Sequence, residues 1–303
     1  MFLALALAFT APQAAPGPVC EATWHDSARN RDMPVRIRMP AGSAKAPVIL
    51  FSHGLGGNLD AGTDWARAWT EAGFLVVHLQ HPGSDLSIWR GGRPAVLAAM
   101  APEQLIARAG DVGFALDHLA VHGKEGACDL ARADLAHVGM AGHSYGAMTT
   151  QAVSGQRYPG RGSALLDRRI DAAIAFSPSP GRAGGLSDAE TFAGIAIPFF
   201  SLTGSDDAVP NLTATTPADR ERPFRAMPPG GKYLLWFDGT THAAFSGNDY
   251  APRGPAPDAH VKPIIARATT RFWRWTLMGD ARARAELDAG DPALGPKDRF
   301  EKR

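Results

Sequence analysis

The sequence predicts an α/β fold in which a mostly parallel, doubly wound sheet is flanked by helices. Short apolar runs of strand type alternate with longer stretches of helical periodicity between residues 34 and 278. The chain has 303 residues, of which 45% are hydrophobic, and this suffices for one large core. Turn-forming glycines and prolines number 33 and 24, as expected when many loops join short elements.

The first predicted elements form a strand–helix–strand unit. Residues 34–39 alternate between apolar and polar side chains like a half-buried strand, and residues 47–52 form a continuous apolar run typical of a buried one. Tryptophans and alanines recur at helical spacing in residues 60–71, and Gly73 ends that pattern before the apolar run 74–79. A strand, a helix and a strand in succession predict a parallel crossover.

The same alternation continues through the rest of the chain and defines the predicted domain. We expect a leader at residues 1–18, one α/β domain at 19–279, and a charged tail at 280–303 that forms a short surface helix and then frays. The later elements are a helix over 94–120, a strand over 135–141, a helix over 147–154, strands over 170–176, 197–203 and 232–237, and a closing helix over 261–278.

The N-terminal end predicts export. Residues 1–10 are apolar and about as long as a signal-peptide core, although no Lys or Arg precedes them. We therefore expect a secreted or periplasmic protein. No later stretch approaches the about 18 uninterrupted apolar residues of a membrane-spanning helix, so no membrane span is expected.

Charge and cysteine content limit the classes of binding partner and cofactor that we expect. Thirty-one basic and thirty acidic residues leave a formal charge of +1, which offers no general attraction for nucleic acid or anionic membranes. A small-molecule substrate is the expected partner. Cys20 and Cys128 lack the spacing of a metal site, and no cofactor is expected. An oxidising compartment permits a disulfide between them, while two separate buried thiols are the alternative.

Residues 142–146 read Gly-His-Ser-Tyr-Gly and match the pattern G-x-S-x-G. A predicted strand precedes them and a predicted helix follows, which is the arrangement that exposes a nucleophilic serine on a tight bend. The glycines avoid collisions across that bend. Ser144 is therefore the candidate nucleophile, and a glycine-rich turn with an incidental serine is the alternative.

A nucleophilic serine needs a base to accept its proton and an acid to orient that base. Asp206 and Asp207 follow the predicted strand 197–203, and His242 follows the predicted strand 232–237. Both loops leave the carboxyl ends of strands, where open α/β sheets gather their functional residues. The order Ser, Asp, His along the chain is that of one class of serine hydrolases.

The oxyanion formed by serine attack on a carbonyl needs hydrogen-bond donors. The turn His-Gly-Leu-Gly-Gly at 53–57 follows a buried strand, and we expect it to aim the Leu55 N–H at the site. Tyr145, which follows the nucleophile, is expected to supply the second N–H. An ordinary strand-end turn is the alternative interpretation of residues 53–57.

Together HGLGG, GHSYGA, TGSDD and GTTHAAF resemble the α/β-hydrolase superfamily over residues 34–278. Within it, HGLGG, GFLVVHLQHPGSD and GHSYGA are similar to bacterial predicted dienelactone hydrolases and to the platelet-activating-factor acetylhydrolase and chlorophyllase-like branch. Dienelactone hydrolases carry a nucleophilic cysteine, whereas this chain has Ser144. The resemblance therefore implies hydrolysis of carboxylic esters.

The resemblance also implies residue roles. In the acetylhydrolase-like branch the Leu of HGLG and the aromatic residue after the serine supply the oxyanion amides, which correspond to Leu55 and Tyr145. The family pattern T-G-[ST]-x-D favours Asp207 as the triad acid. Other hydrolases place the acid four residues before a proline, which would be Asp206. We take Asp207 and keep Asp206 as the alternative.

Several other residues invite a functional interpretation. Trp89 follows the third predicted strand and is a candidate for lining an acyl or alcohol pocket, with packing against a helix as the alternative. His53 and His143 are expected to pack or hydrogen-bond within their motifs. His78 and His81 are three residues apart, but the absence of a neighbouring carboxylate cluster in the sequence favours a structural role over a metal site.

Two rival functions share these motifs. An amidase or peptidase would use the same triad, and the residues around Ser144 do not separate ester from amide substrates. A catalytically inactive hydrolase fold that serves as a binding protein is a rival of another class. The presence of Ser, Asp, His and an oxyanion turn argues against that rival, because a scaffold has no need of all four.

Overall fold

The computed structural model describes residues 17–181, 185–210, 212–248 and 260–303, so residues 1–16 of the predicted leader lie outside the described residues. In the described chain the strands are β1 (Val19–Asp26), β2 (Arg31–Arg38), β3 (Ala46–Ser52), β4 (Leu75–Leu79), β5 (Lys124–Glu125), β6 (Cys128–Asp129), β7 (Ala133–His143), β8 (Ala172–Phe176), β9 (Phe199–Asp206), β10 (Lys232–Thr241) and β11 (Arg299–Lys302). The helices are α1 (Thr63–Glu71), α2 (Gly92–Ala99), α3 (Pro102–Val121), α4 (Tyr145–Val153), α5 (Asp188–Phe192), α6 (Arg222–Ala226), α7 (Val261–Met278) and α8 (Ala281–Asp288).

One large sheet of nine described strands has the order β1-β2-β4-β3-β7-β8-β9-β10-β11. The six strands from β4 to β10 in this order pair in parallel. Antiparallel pairing occurs at both edges, where β1 pairs with β2, β2 with β4, and β11 with β10. The predicted fold class, a mostly parallel sheet flanked by helices, is confirmed.

Helices cover both faces of the sheet, which explains why its central strands are apolar throughout. Neighbouring residues of β3 point to opposite sides. Ile49 belongs to a buried cluster with Trp65 of α1 and Phe272 of α7. Leu50 belongs to a second buried cluster, which includes Val112 of α3. Each face of the sheet therefore has its own hydrophobic core.

The predicted helix over residues 94–120 is two helices. Helix α2 ends at Ala99, and α3 begins at Pro102. Proline has no N–H to donate and a fixed φ, so it starts a helix well and disrupts a helix interior.

No helix of the described chain is long and apolar enough to cross a membrane.

The first strand, β1, was not anticipated from the sequence. It pairs with β2 along its whole length, from Val19 opposite Arg38 to Asp26 opposite Arg31. A disulfide joins Cys20 of β1 to Cys128 of β6, so the pairing that the sequence left open is present. This bond ties the beginning of the described chain to a segment 108 residues away.

The expectation of a frayed end within residues 280–303 is wrong. The predicted surface helix is present as α8, but Arg299–Lys302 form the edge strand β11 on β10. Phe300 packs against the core, and the Arg299 guanidinium lies 4.3 Å from the centre of the Trp236 ring. Charged composition alone predicted a tail, but Arg299 packs on an aromatic ring of β10 and Phe300 on the core.

Candidate active site

Ser144 stands between the last residue of β7 and the first residue of α4, as its motif predicts. Its backbone has φ 58° and ψ −113°, an uncommon conformation for a residue with a side chain. The Ser144 N–H donates to the Phe176 carbonyl of β8 at 2.9 Å, which helps to hold the bend. Backbone strain of this kind costs about 1–3 kcal/mol and is typical of functional sites.

The two glycines of the motif are required by close backbone contacts. A Cβ atom on Gly146 would lie 1.8 Å from the Ser52 carbonyl oxygen, and one on Gly142 would lie 2.3 Å from the Gly146 carbonyl oxygen. The end of β3, the end of β7 and the start of α4 therefore approach more closely than any side chain allows. This close approach brings the turn after β3 against Ser144.

The structure brings Asp207, and not Asp206, to His242. Asp207 is fully buried, and the Nδ1–H of His242 donates to its Oδ1 at 2.6 Å. The Thr203 hydroxyl donates to Oδ2 at 2.7 Å, and Arg220 Nε lies 2.9 Å from Oδ1. Asp206 is exposed and accepts a hydrogen bond from its neighbour Ser205.

The charge of Asp207 is stabilised despite its burial. Burial raises the pKa of its carboxyl, but the hydrogen bond from His242 and the charge of Arg220 outweigh this effect, so the pKa lies below its ordinary value. Because the ionised carboxylate only accepts hydrogen bonds, it requires the proton of His242 to be on Nδ1. His242 Nε2 is then left as a proton acceptor.

His143 contacts both the backbone and the ring of His242. Its Nε2–H donates to the His242 carbonyl at 3.0 Å, and the two ring centres are 4.6 Å apart. Burial, assisted by the nearby His242, lowers the pKa of His143 well below its usual value, so its ring is neutral. The expected hydrogen bond within its own motif is not the one observed: His143 instead helps to fix the backbone of His242, 99 residues further along the chain.

Ser144 and His242 line one cavity of about 290 Å³. Leu55 and Tyr145 line the same cavity, and so does Arg220. The structure therefore gathers at one place the residues that the sequence placed on three separate loops, together with an arginine that the sequence analysis did not single out. Apolar side chains complete much of the wall: Met100, Met148, Val209 and Leu212.

The two predicted oxyanion donors, Leu55 and Tyr145, lie on the elements that flank Ser144. Tyr145 is the first residue of α4, where N–H groups point outward and the helix dipole favours negative charge. A Cβ on Gly54 would lie 3.4 Å from the Ser144 Cβ, so the turn that carries Leu55 lies directly against the nucleophile. The adjacent Gly56 N–H donates to Ser84, whereas in the described chain the Leu55 N–H donates to no protein acceptor.

A buried polar network lies beneath this turn, and sequence reasoning missed it. Arg108 and Asp111 of α3 are fully buried, and Arg108 Nη2 donates to the His53 carbonyl at 2.5 Å. His53 itself accepts the His81 backbone N–H on Nε2, so its Nδ1–H donates to the Gly54 carbonyl. The signal in the sequence was a pair of charged residues at helical spacing within an otherwise apolar helix face.

The other residues singled out from the sequence have separate roles. Trp89 is not among the residues that line the cavity; it is 51% exposed, and its Nε1–H donates to the Gly56 carbonyl. Its ring thus covers the back of the turn that carries Leu55. His78 lies against the Ala61 carbonyl, and His81 contacts Asp111. Among the described residues, no group of three or more His, Cys, Asp or Glu is arranged to hold a metal ion.

A comparison with solved structures supports the assignment of the fold. A ferulic acid esterase from Streptomyces cinnamoneus is similar over 96% of this chain and 99% of that chain, with a TM-score of 0.62 and 19% sequence identity. The chain has an α/β-hydrolase fold. No family model and no curated protein sequence matches it. At this identity the likeness shows the α/β-hydrolase fold, which hosts many different functions.

Proposed function

We propose that the protein is a serine esterase that hydrolyses carboxylic esters by two-step acyl transfer through Ser144, His242 and Asp207. One arrangement carries this proposal. A buried carboxylate holds the Nδ1 side of His242 at 2.6 Å, and the same histidine lines one cavity with a serine on a strained bend. The site thereby offers a nucleophile in Ser144, a base in His242 and an orienting acid in Asp207, the three roles of a catalytic triad.

In the first half of the reaction, Ser144 Oγ attacks the ester carbonyl carbon while His242 Nε2 accepts the hydroxyl proton. The Asp207 carboxylate stabilises the imidazolium that forms, and the Leu55 and Tyr145 amides donate to the oxyanion. The C–O bond to the alcohol then breaks, and His242 returns the proton to the leaving oxygen. In the second half, water repeats the attack on the acyl-enzyme and releases the carboxylic acid.

The cavity favours a small, largely apolar substrate. Its volume of about 290 Å³ is at the lower end of ligand-binding pockets. A ferulic acid esterase shares this fold, which agrees with an ester as the substrate class. The Cys20–Cys128 disulfide supports export, because such bonds persist in oxidising compartments. No cofactor enters the proposed reaction.

Hydrolysis of p-nitrophenyl esters from acetate to palmitate tests the proposal, together with covalent labelling by an organophosphonate. We expect turnover of short-chain esters and a label on Ser144. In Ser144→Ala the label should vanish and kcat should fall by about 10⁴–10⁶-fold. Ser187→Ala, which changes a serine at the exposed start of α5, is the matched control and should retain wild-type activity.

Other outcomes would assign the rival functions. Faster turnover of p-nitroanilides than of esters, lost in Ser144→Ala, would assign an amidase. A protein that is neither labelled nor active would be a binding protein with a hydrolase fold. Labelling at a residue other than Ser144 would refute the proposed nucleophile.

A further inference from the structure

Arg108 is a charged residue outside the proposed triad that is fully buried in α3. Arginine is rarely buried without a charged partner, since burial removes its hydration. Its guanidinium donates four hydrogen bonds, and all four acceptors are neutral. These are Thr149 Oγ1 at 2.9 Å, Ser84 Oγ at 2.9 Å, Ser52 Oγ at 2.8 Å and the His53 carbonyl at 2.5 Å.

These contacts join the two elements that carry the candidate oxyanion amides. Ser52 is the last residue of β3, and His53 begins the turn that carries Leu55. On the other side, the guanidinium lies 4.5 Å from the centre of the Tyr145 ring. Thr149 of α4, which accepts from Arg108, donates its own hydroxyl proton to the Tyr145 carbonyl at 3.2 Å. One planar group thus contacts both sides of the oxyanion site.

A chain of neutral groups connects Arg108 to a carboxylate. The Ser52 hydroxyl accepts from Arg108 and donates to His81 Nε2 at 2.8 Å, and the His81 Nδ1–H donates to Asp111 at 2.8 Å. Burial lowers the pKa of His81 to about 4, so the ring is neutral and carries the single proton that this chain of bonds requires. Arg31 Nε completes the chain with a hydrogen bond to Asp111 at 2.7 Å.

We propose that Arg108 is a positioning residue for the oxyanion hole, in that its guanidinium sets the separation between the Leu55 and Tyr145 amides. This inference rests on the proposed function, since it concerns the same reaction. Both donors must lie about 2.7–3.1 Å from the oxyanion to stabilise it. The planar fork of arginine bridges several acceptors at fixed angles, which the point charge of lysine does not do.

The test compares Arg108→Lys with Arg31→Lys, which alters the far end of the same network without contacting either amide. We expect Arg108→Lys to lower kcat by about 10–100-fold, because displacements of about 1 Å cost up to 10²-fold. KM should stay within about twofold, because the ground-state ester does not require a formed oxyanion hole. Affinity for an arylboronic acid, which forms a tetrahedral adduct with the serine, should fall with kcat. Arg31→Lys should retain kcat within about threefold.

Several results would overturn the proposal. A kcat of Arg108→Lys within twofold of wild type would do so, as would a raised KM at unchanged kcat. An equal loss of kcat in Arg31→Lys would show a general effect of the network. If Arg108→Lys does not fold, Thr149→Val removes the hydrogen bond from Arg108 to α4 together with the one from Thr149 to the Tyr145 carbonyl, and it leaves the other three hydrogen bonds of Arg108 in place. A lowered kcat at unchanged KM supports the proposal, and an unchanged kcat refutes it.

The wild-type protein separates this inference from the proposed function. An active wild-type enzyme labelled at Ser144, with unaltered kinetics in the Arg108 variant, would refute the positioning role alone. A wild-type protein that neither turns over esters nor reacts with the organophosphonate would refute the proposed function, and the role of Arg108 with it.

Discussion

Replacing Asp207 by Asn tests which of two adjacent aspartates orients His242. The hydrogen bonds of the site need not be lost in this variant. The Asn Oδ1 atom can accept from His242 and Arg220 as the carboxylate does, and the Thr203 hydroxyl can rotate to accept from the new NH₂ group. The change therefore removes the negative charge 2.6 Å from the imidazole, and with it the requirement that the proton of His242 be on Nδ1.

The negative charge of Asp207 should account for a large part of the rate acceleration. In a Ser-His-Asp triad the corresponding Asp→Asn change lowers kcat by about 10⁴-fold, because the wrong imidazole tautomer is favoured and the imidazolium is not stabilised. This factor corresponds to about 5.4 kcal/mol of activation free energy. We expect Asp207→Asn to lose about 10³–10⁴-fold in kcat and Asp206→Asn to stay within about twofold, since its side chain is exposed.

Asp207→Asn should also lower the free energy of unfolding more than Asp206→Asn does. Asp207→Asn leaves the Arg220 guanidinium buried without its counter-charge, and removing one partner of a buried ion pair costs about 3–5 kcal/mol. Asp206→Asn should change the free energy of unfolding by no more than about 0.5 kcal/mol. Thermal unfolding followed by circular dichroism measures this difference.

The assay is p-nitrophenyl acetate hydrolysis at neutral pH by the wild type and both variants, at a temperature where all three are folded. Two results would refute the reasoning. One is a variant Asp207→Asn that retains more than a tenth of wild-type kcat. The other is a larger loss of kcat in Asp206→Asn than in Asp207→Asn, which would move the acid to the exposed neighbour.

Two further predictions concern stability. Burial lowers the pKa of His78 to about 3. Between about pH 6.5 and pH 3 the unfolded chain therefore binds a proton at this residue that the folded chain does not. The free energy of unfolding should fall as the pH falls through this range, by about 1.4 kcal/mol per pH unit for each such group. Urea unfolding at pH 7 and pH 5 should show a smaller fall for His78→Gln, and an equal fall would contradict this reasoning. Cys128→Ser opens a disulfide that spans 108 residues and should lower the free energy of unfolding by about 2–5 kcal/mol. Reduction of the wild type should reproduce this loss, and an unchanged unfolding midpoint after reduction would refute it.

Local patterns in the sequence determined most of the fold. The apolar runs at 47–52 and 74–79 predicted buried strands, and they are β3 and β4 in parallel pairing. The spacing over 261–278 predicted α7 with its observed bounds. The motif around Ser144 predicted a turn between a strand and a helix, which the structure contains. Such predictions succeed because periodicity and turn chemistry depend on neighbours within a few residues.

Tertiary structure decided what depends on residues far apart in the chain. Three features follow from contacts across 35 or more residues. They are the partner of Cys20, the pairing of β11 with β10, and the position of Asp207, not Asp206, beside His242. The burial of Arg108 could not be derived from its helix alone. A buried charge is tolerated only where acceptors from several elements converge on it, and only the assembled sheet and helices bring those acceptors together.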